Sequence, residues 1–508
     1  MKRYVGLFII LFFLVLYLIF PTSNSSIDAY YYAASIKHAG EMFHPHHLLY
    51  NFTGSVFLKI SQAIGFSPDV LLFLKSLNAL IAALCLFVVY RILVKLEKDP
   101  GEIAGFLILS GSNFAIWRFA TENETYLFPL IFSLLASLGF INYLKNRKPG
   151  QIVLSGLAAS IAVLYHQIHL FWWLILLVGI VVYFRRWKVF LLYSLPAILI
   201  PVVYILVFST LRNKGEVGGT FVQFVLRDFY AGGVDMTFGW SNLYLTVINV
   251  FRSYLQVHGL MFTMINKSIL FLLPAMLATI LLVTSVLQKG LFRKRIADTY
   301  GKFIKIHIFI FVAQLIFAVY AVGNAEFMVM LPILSFLIVA ARFDFKKRFL
   351  YLTGISLLIW NLGYGILPAW KADHTPHQNI LEWVKIHTSD LFVLMSDQHV
   401  ISKIYYSSGV EVVPNIRKAP EAMVSRNQSL SMLQEEIDNY LISGKRIFTD
   451  CLGRPDIISR EHLLDQGVNQ EFFSKYSAIP VDSVDTLPGT YYLHEIFKKE
   501  DPSLNKRE

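Results

Sequence analysis

The chain has 508 residues, 56% of them hydrophobic and 15% aromatic, with a mean hydropathy of +0.55. That mean excludes a soluble enzyme of this length, and repeated apolar runs of about 20 residues point to a polytopic membrane protein. The net charge of +11 does not indicate a nucleic-acid partner, because many of the basic residues sit in short loops between apolar runs.

The first run, "VGLFIILFFLVLYLIF", follows Lys2-Arg3. No small-residue cleavage site comes after it, so it reads as a retained span rather than a signal peptide. Further spans are expected near 69–93, 101–117, 125–143, 151–165, 169–184, 188–209, 268–287, 304–322, 327–341 and 348–367, about eleven in all. The segments "RILVKLEKD", "LKNRK", "FRRWK", "KGLFRKR" and "RFDFKKR" all fall on the side of Lys2-Arg3. The alternate short loops carry almost no Lys or Arg. This asymmetry places the N-terminus in the cytoplasm and the C-terminal region outside a plasma (inner) membrane.

Between the first two runs, 48–64 has Leu49, Phe52, Val56, Phe57, Ile60 and Ile64 at helical spacing, interrupted by Asn51, Ser55, Lys59 and Gln62. It reads as an amphipathic helix in the outer interface. In the long segment 210–267, "GEVGG" and "YAGGVD" are flexible and "SNLYLTVINVFRSYL" is helical. From 368 onward the apolar runs shorten. "DLFVLMS", "VEVVPN", "RIFTD" and "TYYLHEI" read as strands. "QNILEWVKIH", "SLSMLQEEIDNYLIS" and "SREHLLDQG" read as helices. The expected fold is therefore a polytopic α-helical membrane protein, 1–367, followed by a small extracytoplasmic α/β domain, 368–508. Cys85, mid-span, and Cys451, in the polar tail, do not form a disulfide framework.

The acidic groups cluster where the basic ones are missing. Asp28 lies in the first outside loop, Glu122 and Glu124 in the second, and Glu326 in a later hairpin. Titratable groups at membrane depth are costly and commonly mark a pathway or a site. Each also has a structural reading. Ser25 and Asp28 form a capping-box spacing, and Glu122 is one helical turn from Arg118. His44, His46, His47, His166 and His169 are interfacial or packing residues on that reading. "HPHH" leaves a divalent metal open, with no further ligands identified by spacing.

The layout resembles the GT-C superfamily of integral-membrane glycosyltransferases, which includes the protein mannosyltransferases and aminoarabinose transferases. "SIDAYYYA" looks like that superfamily's first-loop Asp motif, and "FHPHHLLYN" is similar to its His/Pro stretch. "RFATENETYLFPL" and "NAEFMVMLPILSFL" look like its second-loop and late acidic motifs. The WWDYG-type signature of oligosaccharyltransferases is absent. Ala29 follows Asp28 where protein mannosyltransferases carry a paired Asp-Glu. The resemblance implies a polyprenyl-phosphate sugar donor, a glycan, lipid or protein acceptor, and inverting transfer outside the cytoplasm. It implies Asp28 as base, with Glu122, Glu124 and Glu326 as further acidic residues of the site. Arg252 or Lys267, and then Arg118, would hold the phosphate. Tyr30, Tyr31 and Trp240 would line the sugar cavity, and the histidines would contact substrate. The terminal domain would help bind the acceptor. A transporter or lipid-linked saccharide flippase is the alternative, and it should carry ionisable groups deep in the spans and repeated halves.

Overall fold

The computed structural model describes residues 4–230, 238–257, 260–294, 300–425, 428–452 and 460–499, with side chains of 460–466 excepted. Lys2, Arg3, Arg295 and most of "YAGGVD" lie outside the described residues.

The chain divides into two compact units. The first holds the described residues of Met1–Thr22, Ala39–Val257 and Leu270–Leu367; the second holds those of Ser23–His38, His258–Ile269 and Pro368–Glu508.

The first unit is a helical bundle. Among the described residues, eight helices are long and apolar enough to cross a membrane, and nine if a bent pair counts as one span. The remaining two expected spans are the apolar helices Tyr4–Ile19 and Pro149–Tyr165, of 16 and 17 residues. Rows of large apolar side chains face outward, among them Leu273, Met276, Leu277 and Ile280 on one span and Leu195, Ile198, Ile205 and Leu206 on another. Water would not tolerate such surfaces, whereas lipid does. Inside, small residues allow close approach. A Cβ on Gly156 would come within 2.0 Å of the Tyr193 carbonyl oxygen, and one on Gly139 within 2.9 Å of the Gln151 carbonyl oxygen.

The basic loops meet at one end of this bundle. Lys145 pairs with Glu97 at 2.6 Å, and Lys98 with Asp344 at 2.7 Å. The Arg147 guanidinium lies 4.7 Å from the Phe184 ring centroid. Strand β1 (Phe292–Lys294) pairs antiparallel with β2 (Phe343–Phe345). The alternation read from charge is therefore present as a shared end, and the loops themselves form a short ribbon that the sequence did not suggest.

One expected span is broken. Residues 101–117 are the helices Pro100–Ser112 and Phe114–Ala120, bent by 62°. Asn113 breaks them with an extended backbone and caps the second, its Oδ1 accepting from the Ile116 N–H at 3.0 Å. The carbonyl of Ser112, which the bend would otherwise leave unpaired, accepts from Asn361 Nδ2 at 2.8 Å. The helix Tyr50–Ala63 matches the expected amphipathic segment, with Phe52, Val56, Phe57 and Ile60 exposed and Asn51 and Ser61 buried.

In the second unit, a five-stranded sheet has the order β4-β3-β5-β7-β6, from β3 (Leu391–Leu394), β4 (Ile416–Lys418), β5 (Ile447–Thr449), β6 (Tyr476–Asp485) and β7 (Thr490–Lys498). β3 runs parallel to β4 and β5, and β7 runs antiparallel to β5 and β6. Every residue of β3 is buried, as expected for a central strand covered on both faces. The strand expected at 410–415 lies instead at 416–418. β6 is a strand that the sequence reading does not contain, and Pro480 lies within it. It sits on the edge strand of the sheet, beside a bulge, a position where proline is tolerated.

Candidate functional site

The end of the first unit opposite the basic loops gathers most of the nominated residues, and the bend at Asn113 starts this arrangement. It aims Phe114–Ala120 so that Arg118 comes near Arg252 of helix Trp240–Tyr254, close enough for the two charges to interact. Helix Trp240–Tyr254 is turned with its polar stripe inward. Asn242, Thr246 and Ser253 are buried, while Trp240, Tyr244, Val247 and Phe251 are exposed. Asn361 fixes the far end of this helix, donating to the Tyr254 carbonyl at 2.8 Å and accepting from the Gln256 N–H at 2.9 Å. Gly323, in the left-handed region at φ 70, lets the loop before Glu326 pass close to the same helix: a Cβ there would meet Leu245 at 2.7 Å.

Arg118 is exposed and Arg252 is half-buried. Arg252 Nη1 donates to Asn249 Oδ1 at 3.2 Å. Its buried Nε has no hydrogen-bond partner among the described residues. Burial, with the Arg118 charge beside it, lowers Arg252 from its ordinary value. A guanidinium that is desolvated, next to another cation and incompletely bonded is suited to an anion.

Beside this pair, Tyr126 donates its hydroxyl to Glu326 Oε2 at 2.8 Å. Glu326 sits on the turn Ala325–Met328, capped by Asn324. The Tyr126 ring lies 5.1 Å from Phe119 and 5.3 Å from His166. His166 in turn lies 4.5 Å from His47, and His47 lies 3.9 Å from His46. His169 accepts or donates at Nδ1 to Ser133 at 2.7 Å. The Nε2 atoms of His166 and His169 are buried without hydrogen-bond partners among the described residues. Buried groups in that state commonly await a ligand or water.

The turn Pro45–His47 also anchors the long segment. His46 pairs with Asp228 at 2.7 Å, and Glu41 pairs with both His44, at 3.2 Å, and Arg227. Among the described residues no group of three or more His, Cys, Asp or Glu is disposed to hold a metal ion. The histidine rings meet edge to face, at interplanar angles of 71° for both His46–His47 and His47–His166.

Glu122 and Glu124 are buried, at 5% and 3% exposure. Glu122 faces Lys75 Nζ at 3.9 Å, not the Arg118 partner that helical spacing proposed. Its Oε1 accepts from the Asn123 N–H at 2.8 Å, and Asn78 Nδ2 donates to the carbonyls of Glu122 and Glu124 at 2.7 and 2.8 Å. The sequence reading passed over Lys75, Asn78 and Tyr126. The signal for the first two was their place inside "VLLFLKSLNALIAALCLF", where polar groups are expensive.

Asp28, Tyr31 and Lys267 belong to the second unit. Asp28 is exposed in the first turn of helix Ile27–Lys37. The cap is Ser26, whose Oγ accepts from the Ala29 N–H at 3.0 Å, one residue beyond the expected Ser25. Tyr31 donates to Glu411 at 3.2 Å. Lys267 donates to the Thr486 carbonyl at 3.2 Å.

Burial lowers His44 from 6.5 to about 4 against the pull of Glu41, and lowers His47 well below 6.5. As the pH falls through 6.5, the unfolded chain takes up protons that the folded chain refuses, so stability drops from pH 6.5 toward 4. The unfolding midpoint in detergent should fall over that window, and His44→Gln with His47→Gln should flatten the decline. An undiminished slope in the double variant would assign the effect elsewhere.

No family model matches the chain, and no curated protein matches its sequence. In structure it is similar to ArnT from Cupriavidus metallidurans in the apo state, at 10% identity and a TM-score of 0.44, covering 96% of this chain and 97% of that one. The same protein bound to undecaprenyl phosphate gives 10% identity, a TM-score of 0.41 and the same coverage, 96% and 97%. The Archaeoglobus fulgidus oligosaccharyltransferase in complex with Zn and sulfate gives 12% identity and a TM-score of 0.40, covering 96% of this chain and 72% of that one.

Proposed function

We propose that the chain is a glycosyltransferase that moves a sugar from a polyprenyl-phosphate donor to an acceptor hydroxyl on the outer face of the plasma membrane. The observation that carries this reading is Arg252 at the end of an apolar bundle, half-buried on helix Trp240–Tyr254 with a buried Nε that has no hydrogen-bond partner among the described residues, and with the Arg118 charge near it. Two neighbouring guanidiniums repel each other and are stabilised by a phosphate between them. The exposed apolar rows suit a donor whose tail stays in lipid.

In the proposed reaction the acceptor oxygen attacks the anomeric carbon. The bond from that carbon to the phosphate oxygen breaks, and polyprenyl phosphate leaves with the electron pair. Asp28 takes the acceptor's proton, and a single displacement inverts the anomeric centre. Glu326, held by Tyr126, and the free Nε2 atoms of His166 and His169 are suited to sugar hydroxyls.

Purified protein in liposomes, given tritiated undecaprenyl-phosphate glucose, mannose and arabinose in turn with an envelope extract as acceptor, tests the reading. Cleavage of one donor with label in a new product is expected. Movement of intact labelled lipid between leaflets, with no cleavage, would make the chain a flippase. The orientation has its own test. A cysteine at Ser431, exposed in the second unit, should react with an impermeant thiol reagent from outside intact cells. Labelling only after permeabilisation would reverse the topology.

A further inference from the structure

Resting on the assignment of Asp28 as base, we infer that the C-terminal part of the second unit positions the helix that carries Asp28, with Asn24 and Tyr406 as its two anchors. Asn24 lies four residues before Asp28, and its amide reaches the C-terminal part of the chain in three directions. Nδ2 donates to the carbonyls of Ala369 and Ala372 at 3.0 and 2.8 Å, and Oδ1 accepts from the His374 N–H at 2.8 Å. An amide bonded through both donors and its acceptor has one orientation, so the chain just before the Ser26 cap has one path.

The other end of helix Ile27–Lys37 is tied to helix Asp397–Ser408. Lys37 Nζ donates to the Tyr406 carbonyl at 2.9 Å, and His38 Nε2 lies 3.1 Å from the same oxygen. Between the ends the two tyrosine pairs interleave. Tyr30 lies 5.9 Å from Tyr406, and Tyr31 lies 5.6 Å from Tyr405.

An 11-residue helix is too short to hold its shape or place alone in water. Ser26 supplies a local cap, but caps leave the direction of the helix open. Both ends and one face are set by residues more than 340 positions away. The "DAYYYA" run is then explained twice over: the carboxylate does chemistry, and the tyrosines beside it fit "KIYYSS". A base displaced by about 1 Å forfeits much of its effect. The C-terminal part of the chain therefore contributes to the rate itself, besides any role in holding the acceptor.

The test uses full-length protein with whichever donor of the tritiated panel the unaltered chain cleaves. Asn24→Ala should lower kcat at least about tenfold while KM for the donor stays within about twofold. Hydrogen exchange of the backbone amides across 27–37 should speed up at least about tenfold. In an Asp28→Asn background the same substitution should cost no more than about twofold, because Asn24 acts through Asp28. Tyr406→Ala should repeat the pattern and Tyr406→Phe, which keeps ring and carbonyl, should restore turnover. If Asn24→Ala does not fold, Tyr406→Ala carries the test. Unchanged exchange and turnover, or an equal loss in both backgrounds, overturns the inference. An inactive Asp28→Asn beside a fully active Asn24→Ala overturns it alone. Normal turnover of Asp28→Asn removes the base assignment and the inference with it.

Discussion

Asp28→Asn should insert and fold as the unaltered chain does, yet transfer sugar at least about 100-fold more slowly. An acceptor hydroxyl is a poor nucleophile, and losing the group that takes its proton typically costs about 10²–10⁴ in rate. Asparagine has nearly the shape of aspartate but cannot accept that proton. The structural cost is small because Ser26, not Asp28, caps the helix. The favourable interaction of a carboxylate with a helix N-terminus is worth at most about 1 kcal/mol for an exposed group. Unfolding in detergent should therefore shift little. Near-normal turnover would make Asp28 structural. The search for the base would then turn to Glu326, which is half-buried and held by Tyr126. Glu122 and Glu124 would follow, since Asn78 and Lys75 already fix their loop.

The second large effect is expected at the arginine pair. Arg118→Gln and Arg252→Gln should each raise KM for the lipid-linked donor at least about tenfold, since a hydrogen bond to a charged group is worth about 1.5–3 kcal/mol. The electrostatics add a sign that ordinary binding residues would not show. With no anion bound, burial and then the Arg118 charge raise the cost of keeping Arg252 ionised. Removing either charge should thus leave the empty protein as stable as before or more so. Saturating undecaprenyl phosphate should raise the unfolding midpoint of the unaltered protein by linkage and fail to do so in the double variant. An undiminished shift in the double variant would place the phosphate elsewhere, with Lys267 as the next candidate.

Much of the first unit was legible because a membrane writes its demands locally. A span must be apolar over about 20 consecutive residues. The charges flanking it follow the side of the membrane on which they lie. The loops "RILVKLEKD" and "RFDFKKR" are far apart in sequence and meet through Lys98 and Asp344. Their common end followed from counting alternations. β3, β5 and β7 were legible for a similar reason, since short runs such as "LFVL" have a buried-strand composition. The acidic residues could also be nominated, because a carboxylate near an apolar run is conspicuous.

The sequence by itself thus determined the class of molecule, the order of its apolar helices, the end of the bundle where its acids fall and the sheet-bearing tail. Only the tertiary structure decided which groups meet. Helical spacing offered Glu122 the nearby Arg118, and the folded chain faces it with Lys75 from another helix. Arg118 is left beside Arg252, an approach that depends on a 62° bend at Asn113 and on Asn361 holding the far helix. The helix of Asp28 belongs with the C-terminal part of the chain through Asn24 and Tyr406. Hydropathy is a property of a residue and its solvent, so it can be read along a line. A hydrogen bond or an ion pair is a property of two residues and the backbone that brings them together, and no local pattern specifies the second partner.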